Sequence, residues 1–214
     1  MATESRRKAK PPAVPEDGNE IYRRLEERAI AESNDLNRTV SQCRRCRRGD
    51  FLPTVGSGHP LADIFMVKYR PRYLEVSEGV AYFGRSGAAI LKSVERLGVD
   101  PLLLYGTNAV KCTAVTSEEG EANCPGYLLE EIQITQPKML VVMGREALGV
   151  LNRNRLATMA EISSTPGEIQ EFTPFCQALV TPDIDESLDD AEAKRAFWTA
   201  FRALGDWYKD EPPY

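Results

Sequence analysis

Two cysteine pairs constrain this chain more than any other feature: Cys43 and Cys46 in a C-x-x-C turn, then Cys112 and Cys124 with eleven residues between them. If their thiolates share one metal centre, two distant stretches of backbone are tied to a single point. The rival use of such cysteines is a disulfide framework, which belongs to short secreted chains. Here the chain opens MATESRRKAK, with no apolar signal-peptide core, so reduced thiols and a cytoplasmic location are expected. Tetrahedral zinc and a 4Fe–4S cluster each accept four thiolates, and the spacing alone leaves both open.

A chain of 214 residues buries one substantial core but has no room for two ordinary domains with linkers. We expect one domain at 20–207, a tail at 208–214, and a disordered arm at 1–19, where basic residues and prolines lack apolar periodicity. No apolar run approaches the roughly 20 residues that span a membrane. The net charge of −5 offers nucleic acid no global attraction. Contact with DNA therefore needs local basic patches, such as Arg44, Arg45, Arg47 and Arg48 around the first cysteine pair.

Apolar spacing predicts an amphipathic helix over 20–41 through Ile21, Leu25, Ala29 and Leu36, delivering the first cysteine pair. A buried strand at 63–67 follows, then a loop at 68–84 and a helix at 86–97 with Ile90, Leu91, Val94 and Leu97 on one face. Further strands are expected at 102–110, 139–143 and 178–180, and further helices at 127–134, 146–151 and 190–204. Alternation of this kind predicts an α/β fold, a three-layer αβα sandwich around a mostly parallel sheet. Ligands of such sheets bind beyond the carboxyl ends of the strands, which draws attention to 68–72, 108–112 and 181–185.

Several stretches together resemble the iron–sulfur, family 4 branch of the uracil-DNA glycosylase superfamily. They are Cys43-Arg-Arg-Cys46, Gly58-His-Pro-Leu-Ala-Asp63, Tyr82-Phe-Gly-Arg-Ser-Gly87, Thr107-Asn-Ala-Val-Lys-Cys112, and the segment from Cys124 through Tyr127 to Pro137-Lys138 and Gly144. The resemblance covers about 41–204 and implies that the four cysteines hold a structural 4Fe–4S cluster, which moves the expectation away from zinc. It also implies base excision from DNA, single-stranded or uracil-containing, by a monomer. Excision requires an extruded base, an aromatic face beneath it and an amide reading its edge. Tyr82 stands where a stacking aromatic ring is expected, and Asn108 where the base-reading asparagine is expected, its amide matching O4 and N3–H of uracil.

Two motifs depart from that family. Its Gly-Glu-x-Pro-Gly loop reads Lys68-Tyr-Arg-Pro-Arg72 here, so Tyr69 replaces the acidic residue and long cations replace both glycines. Its His-Pro-Ser motif reads Thr181-Pro-Asp183, and the lone histidine, His59, lies in the turn before the first strand. Glu75, Glu78 and Asp183 are the carboxylates that can substitute for the missing one. A further departure concerns DNA binding, because Asp183, Asp185, Glu186, Asp189 and Asp190 would face phosphate with repulsion; the same segment also reads as a solvated capping turn, with Asp189 and Asp190 suited to the start of the last helix. Cys176 reads as a packed strand residue. Two readings follow: a glycosylase with altered chemistry, or an inactive module binding nucleic acid or a protein through the cationic loop of Lys68, Arg70 and Arg72.

Overall fold

The computed structural model describes residues 17–210. Six strands form one sheet in the order β1-β3-β2-β4-β6-β5. They are β1 Ser57–Gly58, β2 Ile64–Lys68, β3 Leu104–Asn108, β4 Met139–Met143, β5 Ile169–Thr173 and β6 Cys176–Thr181. The four inner strands β3, β2, β4 and β6 run parallel, while β1 and β5 close the edges antiparallel. Both β2 and β4 are buried at every position, as continuous apolar runs in the middle of a parallel sheet must be.

Helices cover both faces, giving the expected three layers. On one face α3 (Arg85–Leu97) and α8 (Ala191–Asp210) place Ile90, Val94, Phe197, Phe201 and Leu204 over Ile64, Met66, Val141 and Leu179. On the other, α5 (Pro125–Thr135) and α6 (Arg145–Asn154) place Leu128, Ile132, Leu148 and Leu151 over Phe65, Val67, Leu140 and Val142. The first helix, α1 (Asp17–Ser41), packs Leu36 and Val40 against Tyr127 of α5, and so brings the first cysteine pair alongside the second.

Some boundaries differ from expectation for local reasons. α1 opens at Asp17, inside the expected arm, and residues 1–16 and 211–214 lie outside the described residues. The expected strand over 102–110 is shorter, because Pro101–Leu103 winds into a 3₁₀ turn whose first amide donates to Asp100. The expected loop at 68–84 contains a short helix, α2 (Tyr73–Glu78), whose Glu75 carboxylate accepts from the Arg72 amide and whose end is closed by Gly79 in the left-handed region. Two more short helices, α4 (Ser117–Asn123) and α7 (Ile184–Ser187), follow β3 and β6. The edge strand β5 buries only Phe172 well, so its sequence lacks the alternation that would have announced it.

Candidate active site and candidate metal centre

Parallel register sets four residues in a row across the carboxyl ends of the inner strands. Asn108 of β3 lies opposite Lys68 of β2, Lys68 opposite Met143 of β4, and Met143 opposite Thr181 of β6. Strand residues of like register share a face, so this row points into the α3/α8 layer with Met66 and Leu179.

Lys68 is the surprise of the row. It is the last residue of β2 and wholly buried, and its ammonium donates to Glu75 Oε2 at 2.5 Å and to Asp185 Oδ2 at 2.8 Å. Glu75 is equally buried and also accepts the backbone amides of Arg72 and Tyr82, so both its oxygens are committed. Asp185 has a second cation in Arg72, whose Nε is 3.3 Å from Oδ2, and its Oδ1 has no hydrogen-bond partner.

The same ammonium lies over the ring of Tyr82, 5.6 Å from its centroid. Tyr82 has φ of +61°, unusual for a residue with a side chain, and its amide is held there by Glu75. Space for it comes from two glycines: a Cβ on Gly106 would come within 2.7 Å of the ring, and one on Gly87 within 1.9 Å of the Tyr82 carbonyl oxygen. Burial first, then Glu75, Asp185 and Asp183, hold the Tyr82 phenol well above its ordinary range, so it stays neutral.

Asn108 is fully buried beside this group. Its Nδ2 donates to Thr54 Oγ1 at 3.1 Å, while its Oδ1 accepts from nothing. A buried acceptor without a donor costs about 1–3 kcal/mol, and such groups are uncommon outside functional sites. Asn108 and the Tyr82 ring, which lies over Gly106 of the same strand, thus share one face of the sheet with Lys68.

The other residues singled out in the sequence are dispersed. Tyr69 turns to the opposite side of the sheet, where its hydroxyl donates to Glu121 of α4 at 2.8 Å. The cationic loop does not exist as an exposed patch. Lys68 is interior because β2 runs one residue further than expected, Arg70 is tied to the Val115 carbonyl and the Ser117 hydroxyl, and Arg72 is exposed but paired with Asp185. Nor do the five acidic residues all face outward: Asp185 is buried on Lys68, Asp183 caps α7, Asp189 pairs with Arg85 and Asp190 caps the start of α8. The buried Thr181 hydroxyl donates to the Pro182 carbonyl. His59 is joined to Glu26 of α1, away from the row. Glu78 is exposed at the end of α2, and Cys176 is buried at the start of β6, where burial pushes its thiol up to about 12.

Asp183 spends one oxygen on the α7 cap and forms no ion pair among the described residues. It is half-buried, and burial raises its pKa against the pull of the hydrogen bond from the Asp185 amide and of Lys68, with the charges of Asp185 and Glu186 adding to the rise. A carboxyl whose folded pKa is raised leaves stability intact below its ordinary range and loses it as pH rises through the folded value. Asp183→Asn preserves the cap to the Asp185 amide and removes the charge. Urea unfolding across the acid range should therefore show the variant at least as stable as the parent at neutral pH, with its advantage vanishing at low pH.

The four thiols gather at the far end of the segment that follows Asn108. Cys112 and Cys124 are buried with Val110 and Val115, Cys46 packs against them, and Cys43 packs beside Tyr127. Burial and then the neighbouring Cys124 push the Cys112 thiol up to about 12, with Cys46 and Cys43 adding and Arg48 opposing. Polar donors already point at sulfur: the Lys111 amide at Cys124 and the Asn123 side chain at Cys46, each at 3.5 Å. Among the described residues the side chains do not close into a metal-binding group of three or more, and all four thiols are free. As a donor set they fit a thiolate-bound metal, whose positive charge would reverse the mutual penalty that the thiols impose on one another. Behind them a second buried ion pair, Lys111 to Glu131 at 2.6 Å, fixes the loop, with Thr107 and Tyr105 completing the network.

Sequence reasoning missed both buried lysines as structural centres. The available signal was Lys68 ending an unbroken apolar run, Ile-Phe-Met-Val-Lys, since a charge there must find partners; nothing local identifies Asp185, 117 residues away, as one of them.

Compared with known proteins, residues 55–202 match the family model described as Uracil DNA glycosylase superfamily. The chain is similar to the type-4 uracil-DNA glycosylase of Sulfurisphaera tokodaii, with 29% identity over 52% of this chain and 54% of that protein. It is also similar to the type-4 uracil-DNA glycosylases of Saccharolobus solfataricus, 25% identical over 64% and 66% of the two chains, and Archaeoglobus fulgidus, 26% identical over 64% and 72%. The chain thus spans between about half and three quarters of the length of these relatives.

Proposed function

The chain belongs to the uracil DNA glycosylase superfamily, and from that premise we propose that it recognises an extruded base in single-stranded or uracil-containing DNA and cleaves its N-glycosidic bond. The observation that carries this reading is Asn108 Oδ1, a buried acceptor with no donor on the face shared with Tyr82. Uracil offers what that atom lacks. Its N3–H donates to Oδ1, and O4 accepts from Nδ2 once that amine leaves Thr54, while the base lies against the Tyr82 ring.

Of the candidate carboxylates, Glu75 has its oxygens engaged and Glu78 is exposed at the end of α2, which leaves Asp183 to orient the attacking water. The reading of an inactive module is not favoured, because the loop through which it would bind is occupied: Lys68 is buried, Arg70 is held by Val115 and Arg72 is paired with Asp185.

Cys43, Cys46, Cys112 and Cys124 would hold a 4Fe–4S cluster, as the similarity to type-4 enzymes supports. When bound, the cluster supplies a covalent tie between the α1 end and the segment after β3. A cytoplasmic location accords with these thiols; among the described residues no helix is long and apolar enough to cross a membrane.

The test is release of free uracil from a uracil-containing single strand by protein of confirmed iron content. Single-stranded substrate removes the cost of unpairing. Asn108→Ala should lower the rate on the order of 100-fold, the range seen for loss of a preorganised polar group in an active site. No release by the parent, or equal release by the variant, contradicts the reading.

A further inference from the structure

We infer that Lys68 is a resident plug in the base seat, and that it decides which bases the protein admits; this rests on the reading of Asn108 and Tyr82 as the base-binding pair. Three observations lead to it. First, the ammonium stands over the Tyr82 ring at 5.6 Å from its centroid, inside the roughly 4.5–7 Å within which the centre of a second stacked ring would lie. A base stacked on that face and the ammonium cannot both be there. Second, Lys68 is the strand neighbour of Asn108 and its side chain rises from the same face of the sheet, beside the amide that a base stacked on Tyr82 has to reach. Third, two acceptors at the site, Asn108 Oδ1 and Asp185 Oδ1, have no partner. The plug therefore occupies the seat without satisfying it, and an incoming base with a ring N–H brings the donor that Asn108 Oδ1 lacks.

Displacing Lys68 breaks a buried ion pair, a cost that base binding offsets, but its partners are not left bare. Without the ammonium, Glu75 still accepts two backbone amides and Asp185 still faces Arg72. The seat is consequently a closed one that opens by displacement of a side chain, and the expected ligand is a planar base carrying a ring N–H, delivered on a single strand.

Lys68→Gly removes the plug, whereas Lys68→Met removes its charge and keeps its length. Each is measured for binding to two single strands that differ at one position, a non-cleavable 2′-fluoro-deoxyuridine or a 2′-fluoro-deoxycytidine, whose N3 carries no hydrogen and whose 4-amino group donates, together with Asn108→Ala in the parent and in the glycine variant. The expected result is a gain in preference for the uracil strand of at least tenfold in Lys68→Gly, a smaller gain in Lys68→Met, and loss of the gain when Asn108→Ala is added. Equal preference in the parent and both Lys68 variants, with Asn108→Ala still weakening the uracil strand, overturns the plug and leaves the base-binding pair standing. Indifference of every variant to Asn108→Ala overturns both. Should Lys68→Gly fail to fold, the same comparison is made in the Asp185→Asn background, where one of the two carboxylates no longer needs the ammonium.

Discussion

Glu75→Ala should lower the unfolding free energy by about 3–5 kcal/mol, the range found when one partner of a buried, hydrogen-bonded charge pair is removed. Glu75 is wholly buried, and its two oxygens serve three donors: the Lys68 ammonium and the amides of Arg72 and Tyr82. The substitution leaves Lys68 with Asp185 alone, strips the cap from α2, and releases the amide that holds Tyr82 at positive φ. Glu75→Gln retains the shape and one acceptor oxygen, so it should lose less. Urea unfolding followed by circular dichroism checks this, with the slope unchanged and the midpoint shifted. A loss below about 1 kcal/mol, the worth of an exposed pair, would contradict the burial on which the site depends.

Cys112→Ser or Cys124→Ser should abolish iron binding in protein purified without oxygen, with Cys176→Ser retaining it in full. The two former residues are buried among the other thiols, whereas Cys176 sits alone at the start of β6. Because a metal held only by the folded chain adds its binding free energy to folding, the same two variants should unfold at markedly lower urea concentration. Iron, sulfide and zinc are quantified together: stoichiometric iron and sulfide in the parent support a cluster, and stoichiometric zinc with no iron contradicts it. Cys112 lies four residues past Asn108 on one continuous segment, so loss of the cluster should also weaken base recognition, through displacement of the Asn108 amide.

The layers of this fold were readable because their pattern is local. β2 and β4 are unbroken apolar runs, and α3 and α8 carry Ile90, Val94, Phe197 and Phe201 at helical spacing. Short elements escaped where tertiary contacts make them: α2 depends on a carboxylate that also serves Lys68 and Tyr82, and β5 exists by pairing with β6. At the site, the residue types at Tyr82, Asn108 and the four cysteines could be singled out from motifs. The state of Lys68 could not, since a lysine after an apolar run reads as the first residue of a loop until its two carboxylates, one of them 117 residues distant, are brought to it by the sheet and α7. The acidic segment after β6 was legible in part for the same reason: Asp190 caps the start of α8 as its place suggests, while Asp185 turns inward. Its charge is visible in sequence, but the inward turn of Asp185 follows only from having Lys68 to neutralise.

On this reading one face of Tyr82, with Asn108 beside it, is the seat for an extruded base. The most direct test is a crystal structure of the iron-replete protein with a single strand carrying 2′-fluoro-deoxyuridine, which binds without being cleaved. The account predicts the uracil ring stacked on Tyr82, its N3–H within hydrogen-bond distance of Asn108 Oδ1, and the Lys68 ammonium moved off the ring. A uracil held elsewhere, with Lys68 still on Glu75 and Asp185 and Asn108 Oδ1 still unpartnered, would contradict it.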